Sequence, residues 1–136
     1  MINIIVRSFL GPWGSQILDF YIANSLWING LLLLYFLLVV LGRRNYRIIL
    51  FSLVKDLESK QTIQPGNKNA KQIGAALKKQ EIPWEIGLRA SGFPFITPPQ
   101  GFRIYLKSQK RLQDLIPREI LTNALIERSA LLKQTK

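Results

Sequence analysis

The stretch WINGLLLLYFLLVVLGRRNYR, residues 27–47, decides the fold of this chain. Its apolar run ends at three closely spaced arginines, Arg43, Arg44 and Arg47. No charged residue lies within residues 22–42, and a helix of that length rises about 30 Å, close to the hydrocarbon thickness of a bilayer. The stretch therefore predicts one transmembrane helix, and the alternatives are a buried helix of a soluble domain or a cleaved signal peptide.

The order of the charges separates a retained anchor from a signal peptide and sets its orientation. A signal peptide carries its positive charge before the apolar run and small residues after it. Here only Arg7 lies upstream, whereas Arg43, Arg44 and Arg47 follow directly. Because positive residues favour the cytoplasmic side, we expect a single-pass protein of the cell (inner) membrane with its N-terminus outside and its C-terminus in the cytoplasm. The three downstream arginines should set this topology and contact anionic lipid head groups.

The first residues predict a separate short segment. Residues 1–14 are apolar and contain GPWG at 11–14, which should break a helix. We expect them to lie at the outer membrane interface or against a neighbouring subunit, with Ser15 capping a transmembrane helix over 15–42.

Polar residues in the outer half of the anchor suggest a contact between helices. Ser25 and Asn29 share a helical face through their i, i+4 spacing, and Gly30 offers a point of close approach. An asparagine amide is costly in lipid unless it finds a partner. These three residues are therefore predicted to touch another transmembrane helix, and the alternative is contact with water or head groups at the interface.

The positive charge lies after the anchor. The formal net charge is +11, and Arg7 and Asp19 cancel within residues 1–42. Such a basic segment suits anionic lipid, nucleic acid or an acidic protein surface. Residues 43–60 show apolar positions at helical spacing, which predicts a juxtamembrane amphipathic helix that either lies on the membrane or extends the anchor.

Residues 61–136 are predicted to form a small, mostly helical, basic cytoplasmic segment. Helical patterns cover 69–81, a short stretch from Pro83, residues 108–116 and the C-terminal part from Pro117. Alternating residues in 93–107 flank the turn signal PPQG, which predicts a short β-hairpin; the alternative is an extended arm. The fold class is thus mainly α, with one membrane helix and one short hairpin.

The aromatic residues of this segment suggest a contact surface. A segment of this size has a marginal core by itself, so its aromatic residues are expected to form an adhesive surface rather than a compact interior. Aromatic side chains and arginine are typical of protein interfaces. The predicted partner-contact residues are Trp84, Phe93, Phe95, Phe102, Arg103 and Tyr105.

The composition excludes several chemistries. The chain contains neither cysteine nor histidine, so it has no disulfide, thiolate nucleophile, Cys/His zinc site or histidine base. Its glycines do not form a phosphate loop. We therefore expect no enzymatic activity, no cofactor, no metal and no small-molecule substrate.

Two functions remain. The first is a non-catalytic accessory or assembly subunit of a larger integral-membrane complex, respiratory, photosynthetic or for transport, that clamps other integral-membrane subunits at the cytoplasmic face. The alternative is a membrane-tethered regulator in which residues 69–92 form a helix-turn-helix and the hairpin forms a wing. Nucleic acid is the less expected partner, because Arg89 is the only basic residue in the second helix of that motif.

Overall fold

The structure of this protein is a computed structural model that describes residues 2–60 and 70–134. The described chain is mainly helical, with a small two-stranded sheet, as the sequence predicts. It divides into two compact units, an N-terminal unit of residues 1–37 and a C-terminal unit of residues 38–136. The elements are α1 (Ile2–Ser59), α2 (Ala70–Lys79), α3 (Trp84–Arg89), β1 (Phe95–Ile96), β2 (Tyr105–Leu106), α4 (Gln109–Leu115) and α5 (Arg118–Gln134).

The predicted break near the N-terminus is present, but it is confined to one residue. Gly11 has φ 65° and ψ −172°, and α1 continues on both sides of it. Pro12 then fits the first position of the restarted helix, because its ring fixes φ and it has no N–H that would need a partner. Ser15 is therefore inside α1 rather than at its cap, and its hydroxyl donates to the Pro12 carbonyl at 2.9 Å.

The apolar stretch forms the long helix that the sequence predicts. Among the described residues, the part of α1 over Gly11–Ser59 is the one helix that is long and apolar enough to cross a membrane. Only 11% of its most apolar 18-residue window is buried within the protein, whereas the core helix of a soluble protein is mostly buried. This length, composition and exposure are compatible with a single-pass membrane helix.

The second half of α1 is the core helix of the C-terminal unit. Tyr46, Ile49, Leu53 and Leu57 recur at helical spacing and are buried. Residues from the rest of the unit complete the core: Ile73, Leu77, Ile82, Ile96, Leu112, Ile116, Leu121 and Leu125. Each large aliphatic side chain buried in this way contributes about 1.5–3 kcal/mol. The expectation of an adhesive segment without a compact interior is corrected, because α1 itself supplies much of the interior.

The remaining helices pack in pairs around that core. α2 packs on α5, and α3 packs on α4. Arg118, the first residue of α5, donates to the carbonyls of Leu77 and Lys78 at 3.3 and 2.7 Å. Carbonyls in the last turn of a helix have no intrahelical partner, so this guanidinium both caps α2 and ties it to α5.

The predicted hairpin is also present. β1 and β2 are antiparallel, with Phe95 opposite Leu106 and Ile96 opposite Tyr105. The backbone N–H of Gly101 donates to the Pro98 carbonyl at 3.1 Å, which closes the predicted turn. Ile96 and Tyr105 face the core, so the neighbouring residue of each strand faces outward. As a result, apolar Leu106 is 66% exposed.

Candidate interaction surface

One face of α1 in the C-terminal unit is exposed and both basic and apolar. Arg44, Arg47, Ile48, Phe51 and Lys55 are all exposed, and their i, i+3, i+4, i+7 and i+11 spacing places them on one side of the helix. We call this set the basic-aromatic stripe. It contains no acidic residue, and its two apolar members, Ile48 and Phe51, are 39% and 58% exposed. A helix face of this composition suits an acidic and apolar partner surface or an anionic membrane surface.

Grooves border the stripe on several sides. One of about 470 Å³ is lined by Val40, Arg43, Arg44, Arg47 and Ile48. A second, of about 560 Å³, is lined by Arg47, Ile48, Phe51, Ser52, Lys55 and Ala90. A third, of about 510 Å³, lies between α1 and α5 along Leu50, Phe51, Val54, Ala124 and Leu131, with Arg47, Glu127 and Arg128 among its polar lining. Apolar side chains or acyl chains could fill these grooves while the arginines hold a negative group.

α5 supports the stripe at Phe51. The Arg128 guanidinium lies over the Phe51 ring at 4.9 Å from its centroid, within the range of a cation–π contact. The same guanidinium pairs with Glu58 through Nε and Oε1 at 3.1 Å. Phe51 is therefore held in place although it is exposed, so little side-chain entropy is lost when a partner covers it.

The hairpin rests on the part of α1 that precedes the stripe. The amide nitrogen of Asn45 donates to the carbonyls of Phe93 and Phe95 at 2.9 and 2.7 Å. Arg43 Nη2 donates to the Gly101 carbonyl at 3.0 Å. Asn45 was not among the predicted site residues. Its i, i+4 spacing from Ile49, which belongs to the apolar pattern of residues 43–60, was the signal for it.

The three predicted topology arginines differ in their surroundings. Arg44 and Arg47 are exposed on the stripe, whereas Arg43 is half-buried against the hairpin. The Arg43 guanidinium also lies 5.0 Å from the centroid of the Phe102 ring. Successive residues on a helix point about 100° apart, so neighbouring arginines need not share a surface. Arg44 and Arg47 are the two that are placed for contact with an external group.

The predicted partner-contact residues divide into three sets. Trp84 and Tyr105 pack against the core, and Arg111 lies 5.4 Å from the Tyr105 ring centroid. Phe93 and Phe95 are half-buried and form an edge-to-face pair with centroids 5.8 Å apart. Phe102 and Arg103 are exposed. Of the six, these last two offer the most surface to a partner.

The predicted helix-contact residues make hydrogen bonds within their own helix. The Tyr21 hydroxyl donates to Asn29 Oδ1 at 3.1 Å, and the Ser25 hydroxyl donates to the Ile22 carbonyl at 3.1 Å. A Cβ added at Gly30 would meet nothing within 4 Å beyond the adjacent residues and backbone of its own helix. The polar groups are therefore partly satisfied before any partner arrives, and Gly30 leaves room for a neighbouring helix.

The helices of the proposed helix-turn-helix pack on different partners. α2 lies on α5 and α3 lies on α4. The short α3 turns Gly87 toward α1, where an added Cβ would lie 3.1 Å from Ile49 Cγ2. Its exposed residues are Glu85, Ile86 and Arg89. One acidic and one basic residue give this face little attraction for phosphate.

The described part of the chain holds no group of three or more Asp or Glu side chains that could bind a metal ion. Tyr46 has a raised pKa because burial disfavours its charged form. Its hydroxyl donates to the Leu115 carbonyl at 3.2 Å, which gives it a structural role.

No protein-family model matches this chain, and neither the curated proteins nor the solved structures contain a significant match to it.

Proposed function

We propose that this protein is a single-pass accessory subunit of a larger integral-membrane complex, with its N-terminus outside and its C-terminal unit at the cytoplasmic face of the membrane. Its contribution is assembly and stability rather than catalysis. The observation that carries the proposal is that α1 supplies both the long exposed apolar stretch and the core of a small basic folded unit. One helix can thus anchor the protein and present a folded contact surface.

The exposure of the apolar stretch supports the membrane placement. Leu31 to Leu34 are each 52–70% exposed, and such a continuous apolar surface marks a membrane or protein interaction. Basic residues follow this stretch in the sequence, which favours a cytoplasmic C-terminus.

The basic-aromatic stripe supports a protein partner beside the membrane. The proposed occupant is the membrane-proximal surface of another integral-membrane subunit that carries acidic residues. Arg44, Arg47 and Lys55 would pair with these acids, and Ile48 and Phe51 would pack between them. Because Arg128 already holds Phe51, the stripe is organised before binding.

Purification in mild detergent tests this proposal. The full-length protein should co-purify in a complex much larger than its 15.6 kDa, and its partners can be identified by mass spectrometry. Replacing two exposed apolar residues of the stripe, in Ile48→Ser/Phe51→Ser, should release the partner without unfolding the protein. Ile86→Ser is the matched control, because Ile86 on α3 is 37% exposed and Ile48 is 39% exposed.

The results test two claims separately: that the stripe is the contact, and that the protein is a subunit of a complex. Loss of the partner in the double variant but not in Ile86→Ser supports the stripe as the contact. Equal retention in both variants rules the stripe out. Purification of the unaltered protein as a stable monomer would overturn the subunit proposal itself.

A second pair of variants tests the helix face in the membrane. Gly30→Leu fills the space that this protein leaves open, so it should weaken only contact with a neighbouring helix. Leu32→Phe adds bulk about 200° around the same helix and is the control. Retention of the complex in Gly30→Leu would place the helix contact elsewhere. No observation favours the DNA-binding regulator, which stays a prediction.

A further inference from the structure

We infer that the hairpin of residues 93–107 is a second membrane contact, whose exposed residues Phe102 and Leu106 enter the head-group region of the cytoplasmic leaflet. The inference rests on the membrane placement proposed above. It gives the hairpin a lipid partner, whereas the sequence assigned Phe102 to a protein partner.

The contacts of the hairpin fix its level along α1. Thr97 lies against Gly42, the last residue of the charge-free stretch. Arg43 and Asn45 then bind the turn and the first strand. The C-terminal unit begins at Leu38, so the last apolar turn of α1 and the hairpin belong to the same unit. When this turn reaches the membrane surface, the hairpin reaches it too.

The hairpin turns apolar side chains outward. Phe102 is 65% exposed and Leu106 is 66% exposed, while Ile96 and Tyr105 occupy the side that faces the core. A hairpin surrounded by water normally directs its apolar face inward and its polar face outward. Outward Phe and Leu on a small, well-anchored hairpin are instead suited to the boundary between head groups and acyl chains.

The charges around the hairpin favour an anionic membrane surface. The exposed Arg103 follows Phe102 directly, and Arg44 is exposed on the adjoining turn of α1. Arg43 lies over the Phe102 ring and donates to the Gly101 carbonyl, so it holds Phe102 at the turn, beside the exposed Arg103 that can reach phosphate. Lys107 Nζ donates to the Ser91 carbonyl, which holds the second strand in place.

Spin labels at single cysteines measure the depth of the hairpin. The chain has no cysteine of its own, so Phe102→Cys, Leu106→Cys, Leu34→Cys and Asn123→Cys each give one labelling site. The labelled full-length protein is placed in vesicles of phosphatidylcholine and phosphatidylglycerol. Oxygen, which partitions into lipid, and a nickel chelate, which stays in water, report the depth of each label. Circular dichroism shows whether each variant is folded.

Leu34→Cys reports on the membrane placement, and Asn123→Cys on α5 is the exposed control. The inference predicts that labels at 102 and 106 have an oxygen-to-nickel ratio several-fold above that at 123 and below that at 34. Leu106→Cys keeps the test decisive if Phe102→Cys disturbs the contact with Arg43.

The other possible ratios distinguish a failure of the lipid contact from a failure of the membrane placement. Ratios at 102 and 106 equal to the ratio at 123, with a high ratio at 34, overturn the lipid contact and leave the proposed anchor intact. Labels at 102 and 106 shielded from both reagents assign the hairpin to a protein partner and also overturn it. A low ratio at 34 overturns the membrane placement itself.

Substitution of Arg103 tests the anionic component. Arg103→Gln removes an exposed charge beside the inserted ring, and one basic residue near an anionic surface changes binding about five-fold. The oxygen-to-nickel ratio at 106 should fall in Arg103→Gln and stay unchanged in Arg89→Gln, which alters an exposed arginine on α3. Equal ratios in both variants would contradict an electrostatic contribution from the hairpin.

Discussion

Thr97 of the hairpin packs directly against Gly42 of α1. A Cβ built at Gly42 would lie 2.5 Å from Thr97 Oγ1 and 3.1 Å from the Thr97 backbone nitrogen. Real Cβ atoms essentially never lie within 3.0 Å of such an atom, and 3.1 Å is tight, so a side chain at position 42 would push the hairpin away from α1.

Gly42→Ala should therefore destabilise the C-terminal unit. Overpacking typically costs about 1–3 kcal/mol, which exceeds the roughly 1 kcal/mol that alanine gains over glycine within a helix. Thermal unfolding in a fixed detergent, followed by circular dichroism, should show a lower midpoint. Gly74→Ala is the control, because its added Cβ would meet only Thr122 Cγ2, at 3.9 Å, and should raise the midpoint. Equal shifts in both variants would contradict the close approach.

Asn45→Ala should be among the most destabilising polar substitutions. The buried amide of Asn45 donates hydrogen bonds to the carbonyls of Phe93 and Phe95. Losing two hydrogen bonds and leaving these carbonyls without that donor costs about 2–4 kcal/mol. Denaturant unfolding measures the loss, and Asn123→Ala, at an exposed position of α5, should change the stability little. A similar small effect at both positions would show that the hairpin does not depend on Asn45.

Sequence reasoning found the elements but missed these contacts. The charge-free stretch, the PPQG turn and the helical periodicities are local patterns, and they led to the long helix and the hairpin that the structure has. The bonds from Asn45 to Phe93 and Phe95 span 48 and 50 residues, and no local pattern encodes such a pairing. Sequence reasoning also separated residues 43–60 from residues 61–136, so it undercounted the core that they form together.

The candidate surface was predicted in part. The sequence predicts an amphipathic helix over residues 43–60, and its apolar residues Ile48 and Phe51 are exposed on the stripe. Arg43, Arg44 and Arg47 looked equivalent in sequence. In the structure Arg43 is half-buried against the hairpin, whereas Arg44 and Arg47 are exposed. This difference depends on which side of α1 the hairpin covers, which follows from tertiary packing alone.

Arg43→Lys should loosen the hairpin turn. The Arg43 guanidinium both donates to the Gly101 carbonyl at 3.0 Å and lies over the Phe102 ring, and a lysine ammonium does not reproduce that planar geometry. Hydrogen exchange should become faster in a peptide covering residues 98–104. Arg44→Lys keeps the exposed neighbour charged and should leave this exchange rate unchanged. Equal rates in the two variants would mean that Arg43 does not hold the turn.

Tyr46 should make the C-terminal unit lose stability at alkaline pH. Burial raises the pKa of Tyr46 above the ordinary value of 10.0. A group with a raised pKa in the folded state contributes stability that is complete below its unfolded pKa and is lost as the pH rises through the folded pKa. Unfolding midpoints should therefore fall above about pH 10. Tyr46→Phe should be less stable at neutral pH, because it lacks the bond to Leu115, and should show a smaller alkaline decline. If the loss of stability at alkaline pH is unchanged in Tyr46→Phe, other groups cause that loss.

The proposed function requires that α1 crosses the membrane and holds the C-terminal unit on the cytoplasmic side. A cysteine at the exposed Gln113 of α4 tests it with a membrane-impermeant maleimide, because the chain has no other cysteine. We expect that the cysteine in Gln113→Cys is protected in intact cells and reacts only after the membrane is permeabilised. Reaction of this cysteine in intact cells would contradict the cytoplasmic placement of the C-terminal unit.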